Sequence, residues 1–249
     1  MIVFVTGATA GFGQVTARRF AKDGAKVIGT GRRKNRLEDL KRELGENFLP
    51  LVFDVGRRSE VEHAIANLPA AFAEVDVLVN NAGGAIGLEP AQKAALDDWD
   101  AMIDSNVKGL VYCTRLLLPG MVERNRGHIV NLGSTAGEWP YPGGNVYGAA
   151  KAFVHQFSNN LRADLLGTAI RVTDIQPGLV GGTEFSEVRF KGDKKKAAAV
   201  YEGAQPLTPE DIAETIHWVA TRPAHVNINS IQLMPVCQAY GPLAVKREK

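Results

Sequence analysis

Apolar and polar positions run along the chain in two rhythms that take turns. Short β-branched runs, Ile2 to Val5, Lys26 to Gly29, Phe48 to Phe53, Val75 to Val79, His128 to Leu132, Ile170 to Ile175 and Ser230 to Met234, read as strands, and stretches of helical period separate them. That alternation predicts an α/β fold, a doubly wound parallel sheet of about seven strands with helices on both faces. Between the fourth and fifth runs, Trp99, Met102, Ile103, Asn106, Val107, Leu110 and Val111 recur at helical spacing as one stripe. Asn106 is its polar exception. An amide on an apolar face needs buried partners, so Asn106 is either a structural hydrogen bonder or part of a site.

No repeat or linker divides the chain, and 249 residues suit a single domain, 1–249. One segment breaks the rhythm: from Gly178 it carries glycines and the charged KGDKKK cluster, which predicts a substrate-loop insertion at 178–204 able to act as a lid.

Composition narrows the function classes. Hydrophobic residues at 45% and charged residues at 22% are ordinary for a globular protein. Lys and Arg total 29 against 27 acids, so a net charge of +2 gives no general field for nucleic acid or a membrane surface. Cys113 and Cys237 have neither disulfide-framework nor metal-ligand spacing, and His63, His128, His155, His217 and His225 form no metal motif, so no metal is expected. Met1 leads directly into the first strand run without a leader-like segment, and a cytoplasmic location is expected.

The unusual residues gather where strands end: Gly7 after the first, Gly31-Arg32-Arg33 after the second, Asp54-Val55 after the third, Asn80-Asn81-Ala82-Gly83 after the fourth, Gly133-Ser134 after the fifth and Pro177-Gly178 after the sixth. In an open parallel sheet these ends share one edge, where ligands bind. The turn Thr6-Gly7-Ala8-Thr9-Ala10-Gly11-Phe12-Gly13 has glycines for close backbone approach, followed by a helix N-terminus that favours a pyrophosphate.

After the second strand no acid stands ready to accept ribose hydrogen bonds. Arg32 and Arg33 stand there instead, suited to a 2′-phosphate, so NADP rather than NAD is the expected cofactor. Tyr147 and Lys151 are four apart on a helix and share a face. An ammonium about 4 Å away at an effective dielectric of ~20 contributes about 4 kcal/mol, which predicts a phenol lowered by roughly three on the pKa scale. In the oxidative direction Tyr147 is then the base for a hydroxyl proton, and Ser134 holds the substrate oxygen.

The TGxxxGxG spacing, with NNAG at Asn80 to Gly83, Ser134 after the fifth strand and YxxxK at Tyr147 to Lys151, resembles the short-chain dehydrogenase/reductase family. The resemblance implies a Rossmann-like fold and a catalytic set of Asn106, Ser134, Tyr147 and Lys151, with Asn106 positioning a water linked to Lys151. It further implies that Gly7, Thr9, Ala10, Gly11, Phe12, Gly13, Arg32, Arg33, Asp54, Val55, Asn81, Ala82 and Gly83 hold the dinucleotide. Tyr147, Lys151, Pro177, Gly178, Val180 and Thr183 would surround its nicotinamide half.

MIVFVTGATAGFG, GSTAGEWPYPGGNVYGAAKAFVHQFS, DIQPGLVGGTEFSEVRFKGD and PAHVNIN are similar to the NADP-dependent 3-hydroxy acid dehydrogenases over essentially the whole chain. That similarity implies L-allo-threonine, L-serine and 3-hydroxypropionate as substrates, malonic semialdehyde reduction, and a homotetramer. Gln176 departs from the glutamate expected there. A carboxylate substrate needs a cation, and Arg189 in the insertion is the candidate. The other readings are a same-fold reductase of 3-oxoacyl thioesters, sugars or steroids, and a sensor that binds NADP without turnover. Phe153, Phe157 and Leu161 form a second apolar strip on the Tyr147 helix, suited to a copy of the chain or to the core.

Overall fold

The computed structural model describes residues 1–240. Its strands are β1 (Ile2–Val5), β2 (Lys26–Gly31), β3 (Phe48–Val52), β4 (Val77–Asn80), β5 (Gly127–Leu132), β6 (Ile170–Pro177) and β7 (Ser230–Leu233). All pair in parallel, in the order β3-β2-β1-β4-β5-β6-β7. The expected strands are therefore present, with ends displaced by up to two residues. The chain reverses its direction of winding between β1 and β4, and the switch opens a crevice at the carboxyl ends.

Successive strand residues feed opposite cores. Val3 and Val5, Val27, Val77 and Val79, and Val130 and Leu132 pack against α1 (Gly11–Lys22), α2 (Lys34–Leu44) and, from late in the chain, the helix Pro209–Ala220. Phe4, Ile28, Leu78 and Ile129 point the other way, toward α3 (Arg58–Ala66) and the long helices that come after β4 and β5. This period-two partition buries both faces of the sheet, which is why the strands carry so few polar residues.

The stripe expected as one helix is α4 (Leu96–Ile103), a π-helical turn at Asp104–Lys108, and α5 (Gly109–Glu123). The extra residue of a π turn rotates the next helix by roughly 100°, so the stripe is not continuous: Met102, Asn106 and Leu110 are buried, whereas Ile103 is 37% exposed. α6 (Asn145–Asp164) carries Tyr147 and Lys151 inward. Its second apolar strip divides: Leu161 joins the core, while Phe153 stacks on Phe157 nearer the surface. The irregular segment folds into α7 (Phe185–Arg189) and α8 (Lys194–Ala199) before α9 (Pro209–Ala220), which a Thr208–Asp211 capping box starts. No helix among the described residues is long and apolar enough to cross a membrane.

Candidate functional site

The strand ends open into one cleft of about 1730 Å³. Its wall includes Gly7, Thr9, Ala10, Gly11, Phe12, Arg32, Arg33, Asp54, Val55, Asn81, Ala82 and Gly83 on one side. Ser134, Tyr147, Lys151, Pro177, Gly178, Val180, Thr183 and Arg189 complete the other.

Two expected residues stand behind the wall. A Cβ on Gly13 would lie 2.4 Å from Gly7 O and 2.5 Å from Asn81 Nδ2, so Gly13 lets the helix pack against the turn and does not face a ligand. Asn106 is 1% exposed; its Nδ2 donates to Met102 O and Gly84 O, both at 2.9 Å. Its Oδ1 is buried without a partner among the described residues, pressed toward Gly83, where an added Cβ would sit 2.4 Å away. The π turn is what delivers this amide, and an acceptor left open beside the cleft fits the expected water site.

The glycine turn and the NNAG segment hold each other in place. Thr6 Oγ1 accepts from the backbone N–H of both Asn81 and Ala82 at 2.9 Å, and Asn81 Nδ2 donates to Thr6 O at 2.8 Å. Gly7 takes φ +72°, which brings its backbone against Ala82. The N-cap Ala10 makes no side-chain cap and the first turn of α1 holds no acid, so its N–H groups remain available to an anion. These features fit a dinucleotide pyrophosphate.

The arginines lie in the cleft but are already engaged. Arg32 is exposed and stands 3.7 Å from Asp54, which reaches over from the end of β3. Arg33 donates to Thr9 Oγ1 at 3.2 and 3.1 Å and to Glu184 at 2.7 Å, and Arg36 joins the same carboxylate at 3.2 Å. The link from Glu184 to this corner was not visible in the sequence, because 151 residues separate it from Arg33.

Tyr147 and Lys151 are brought together by one turn of α6, and both are nearly buried. Lys151 Nζ donates to Leu132 O at 2.7 Å and lies 5.8 Å from the centre of the Tyr147 ring. The structure corrects the expectation of an acidic phenol. Burial pushes the Tyr147 hydroxyl up to about 12; a hydrogen bond with Ser134 and the charge of Arg189 pull the other way, and Tyr141 adds to the rise. Lys151 is pushed down to about 8 by burial, with Asp174 opposing. Removing both groups from water favours the neutral phenol and weakens the ammonium, and a contact estimate at a single dielectric omits that cost.

Ser134 caps the short turn after β5, accepting from Ala136 N at 3.1 Å, and its hydroxyl donates to Pro177 O at 3.3 Å. The 3₁₀ turn at Thr135–Gly137 then runs so close to α6 that a Cβ on Gly137 would meet Lys151 C at 2.7 Å. Over the site, α7 sets Phe185 5.8 Å from the Tyr147 ring and places the Arg189 guanidinium 5.8 Å from the same ring centre. Arg189 donates to the Tyr141 hydroxyl at 2.7 Å, a partner the sequence did not reveal. The basic cluster beyond α7 is partly anchored, with Lys191 Nζ 2.6 Å from Asp98 Oδ2 of α4.

Comparison with known proteins matches this arrangement. The short chain dehydrogenase family profile covers residues 1–194. The chain is 66% identical over 247 residues to NADP-dependent 3-hydroxy acid dehydrogenase YdfG of Salmonella typhi, spanning 99% of this chain and 100% of that protein. It is 51% identical over 246 residues to serine 3-dehydrogenase of Agrobacterium fabrum, spanning 99% and 98%. It superposes on the closed form of serine dehydrogenase complexed with NADP+ with a TM-score of 0.98 at 63% identity, covering 100% of both chains. With its seven-stranded parallel sheet and the Ser134, Tyr147 and Lys151 constellation at the switch-point crevice, the chain belongs to the short-chain dehydrogenase family of oxidoreductases.

Proposed function

We propose that the chain is an NADP-dependent 3-hydroxy acid dehydrogenase, interconverting L-allo-threonine, L-serine and 3-hydroxypropionate with their 3-oxo acids and reducing malonic semialdehyde. The observation that carries this reading is Arg189: α7 sets a cation 5.8 Å from the Tyr147 ring, over the place where a hydroxyl must lie to exchange its proton. A substrate with a carboxylate close to its reacting carbon can meet both groups at once. The names of the relatives point to the same substrate class.

Gly7, Thr9, Ala10, Gly11 and Phe12 would hold the pyrophosphate and Asp54 and Val55 the adenine. Arg32 and Arg33 would hold the 2′-phosphate, with Asn81, Ala82, Gly83, Pro177, Gly178, Val180 and Thr183 around the nicotinamide half. When bound, NADP supplies the acceptor or donor of hydride.

The protein's own residues handle the proton. With substrate in place, Ser134 Oγ turns its proton from Pro177 O to the substrate oxygen and stabilises charge on it. A Tyr147 hydroxyl held up at about 12 is in its donating form, so the reductive direction uses it directly as the acid. In the oxidative direction the hydroxyl proton passes to Tyr147 Oη, and the cations at Lys151 and Arg189 stabilise the phenolate that must precede it. Lys151 commits one N–H to Leu132 O, leaving two for a ribose hydroxyl and for a water held by Asn106 Oδ1.

Residues 1–249 would act as one catalytic domain with 178–204 as its lid, in a homotetramer in the cytoplasm. The test is an NADP+ and NADPH assay of the purified protein against L-serine, D- and L-allo-threonine, 3-hydroxypropionate and malonic semialdehyde, beside a 3-oxoacyl thioester. Turnover of the free acids above the thioester is the expected result. Preference for the thioester would overturn the substrate class, and NADPH binding without any turnover would leave a sensor.

A further inference from the structure

Behind the catalytic lysine lies a buried acid that the proton chemistry above does not use. Asp174 stands on β6, paired in register with Asn131 of β5, and is 1% exposed. Its Oδ2 is held by His155 Nδ1 at 2.9 Å and by Gln176 Nε2 at 2.8 Å. Its Oδ1 has no hydrogen-bond partner among the described residues. That oxygen lies against Gly133, where an added Cβ would sit 2.3 Å from it, so the glycine between the fifth strand and Ser134 is what admits the carboxylate.

The neighbouring residue, Leu132, is the one whose carbonyl takes Lys151 Nζ. His155 is one helical turn beyond Lys151 on α6, so both face the same stretch of β5 and β6. Gln176 is in turn fixed through its Oε1 by Gln232 Nε2 at 3.1 Å, which also reaches Glu138 at 3.1 Å. A buried carboxylate held from two sides, with one oxygen unbonded among the described residues, is a costly feature.

We propose that Asp174 is a positioning residue for hydride transfer: fixed by His155 and Gln176 against Gly133, the residue after the Leu132 whose carbonyl takes Lys151 Nζ, it acts by its charge on that buried ammonium. The inference rests on Lys151 being part of the catalytic set.

The charged and titratable groups around the lysine support it. On its own helix stand Tyr147 and His155, on β6 Asp174, and from α7 Arg189 faces the phenol; Glu138 connects only through Gln232. Asp174 is the group whose charge raises Lys151 against the burial that brings it down to about 8. Without that charge the lysine loses its proton at lower pH, and the ribose hydroxyl and the phenolate lose their cation together. Gln176 suits the arrangement because its amide donates to Asp174 and adds no second negative charge.

The test is a pH titration of the full chain carrying isotope-labelled lysine, tracking the Cε signal of Lys151, assigned by its loss in Lys151→Arg. In the wild type, Lys151 should be charged at neutral pH. Asp174→Asn, nearly isosteric, should lower its midpoint by about one pH unit and move the alkaline limb of kcat/KM down with it. The substrate KM should change less than kcat.

An unmoved midpoint in a folded Asp174→Asn protein overturns the proposal. If that variant does not fold, the smaller neutral Asp174→Ser takes its place with the same readout, and an unmoved midpoint there, or a wild-type Lys151 already neutral at pH 7, overturns it. The titration needs no substrate, so its failure is distinct from failure of the catalytic reading, which would appear as an active Lys151→Arg or Tyr147→Phe enzyme.

Discussion

Arg33 of the β2 corner donates to Glu184 at 2.7 Å, so the start of α7 is tied to the residue expected to meet a 2′-phosphate. A carboxylate and a phosphate compete for one guanidinium, and this pair is more than a third exposed on both sides. Exposed pairs contribute only about 0.2–1 kcal/mol, so Glu184→Gln should alter NADPH affinity by no more than about fivefold. Arg32→Ala with Arg33→Ala removes the phosphate's charged donors, worth about 1.5–3 kcal/mol each, and should weaken NADPH at least tenfold while leaving NADH nearly unchanged. Fluorescence titration with both nucleotides checks this, and an unchanged preference would contradict the assignment.

Arg189 is held by the Tyr141 hydroxyl at 2.7 Å and by Gly87 O at 3.3 Å, so its guanidinium is aimed before any substrate arrives. Arg189→Ala should raise KM for L-serine and 3-hydroxypropionate about ten- to a hundredfold, the range of a lost charged hydrogen bond. A neutral secondary alcohol should be unaffected. Equal losses for charged and neutral substrates would show that the variant had simply disordered the α7 segment.

The range of the forces involved decides how much of the molecule was legible in the sequence. The strands and the crevice at their carboxyl ends stem from local periodicity and from glycines at strand ends, and the motifs from Gly7 to Lys151 line the two sides of one cleft, with Gly13 and Asn106 behind it. The π turn was hidden, because Asn106 keeps its place in a helical stripe whether or not one residue is inserted beside it. Tyr141, Glu184 and Asp174 were invisible as partners: each acts on a residue brought near only by the completed fold. The phenol's acidity was misread because a pairwise charge contact can be guessed from a four-residue spacing, but burial cannot.

Gly13 faces backbone rather than ligand, which makes its replacement a test of packing. In Gly13→Ala the new methyl would stand 2.4 Å from Gly7 O, and neither the turn nor the helix can yield without moving the other. A destabilisation of about 1–3 kcal/mol is expected, together with weakened nucleotide binding as the turn opens. Thermal melts with and without NADPH measure both effects. A variant of wild-type stability that nonetheless failed to bind would restore Gly13 as a direct contact.

Tyr147→Phe removes the hydroxyl and little else, since the ring is already packed against Phe185. Turnover should fall by about 10²–10⁴, the usual contribution of a positioned acid or base, while NADPH binds as before. A fully active variant, measured in single-turnover experiments, would move the proton chemistry to another residue.

Lys151 provides the last test, through stability. Its pKa is lowered from 10.5 to about 8, so between those values the unfolded chain holds a proton that the native one has lost. Stability therefore rises with pH across that window, and below about 8 the fold carries the full cost of a charged buried lysine, about 3 kcal/mol. Lys151→Met should then be inactive yet more stable than the wild type at pH 7, with the gap narrowing as pH climbs toward 10. Tyr147 acts in the opposite sense: its pKa, raised from 10.0 to about 12, makes stability fall above pH 10, so the comparison belongs below that point. At about 2–4 °C per kcal/mol for a chain of this size, the difference in Tm is measurable by calorimetry at pH 7 and pH 9.5. A gap that stayed constant between those two pH values would mean that Lys151 titrates normally and that the pocket does not desolvate it.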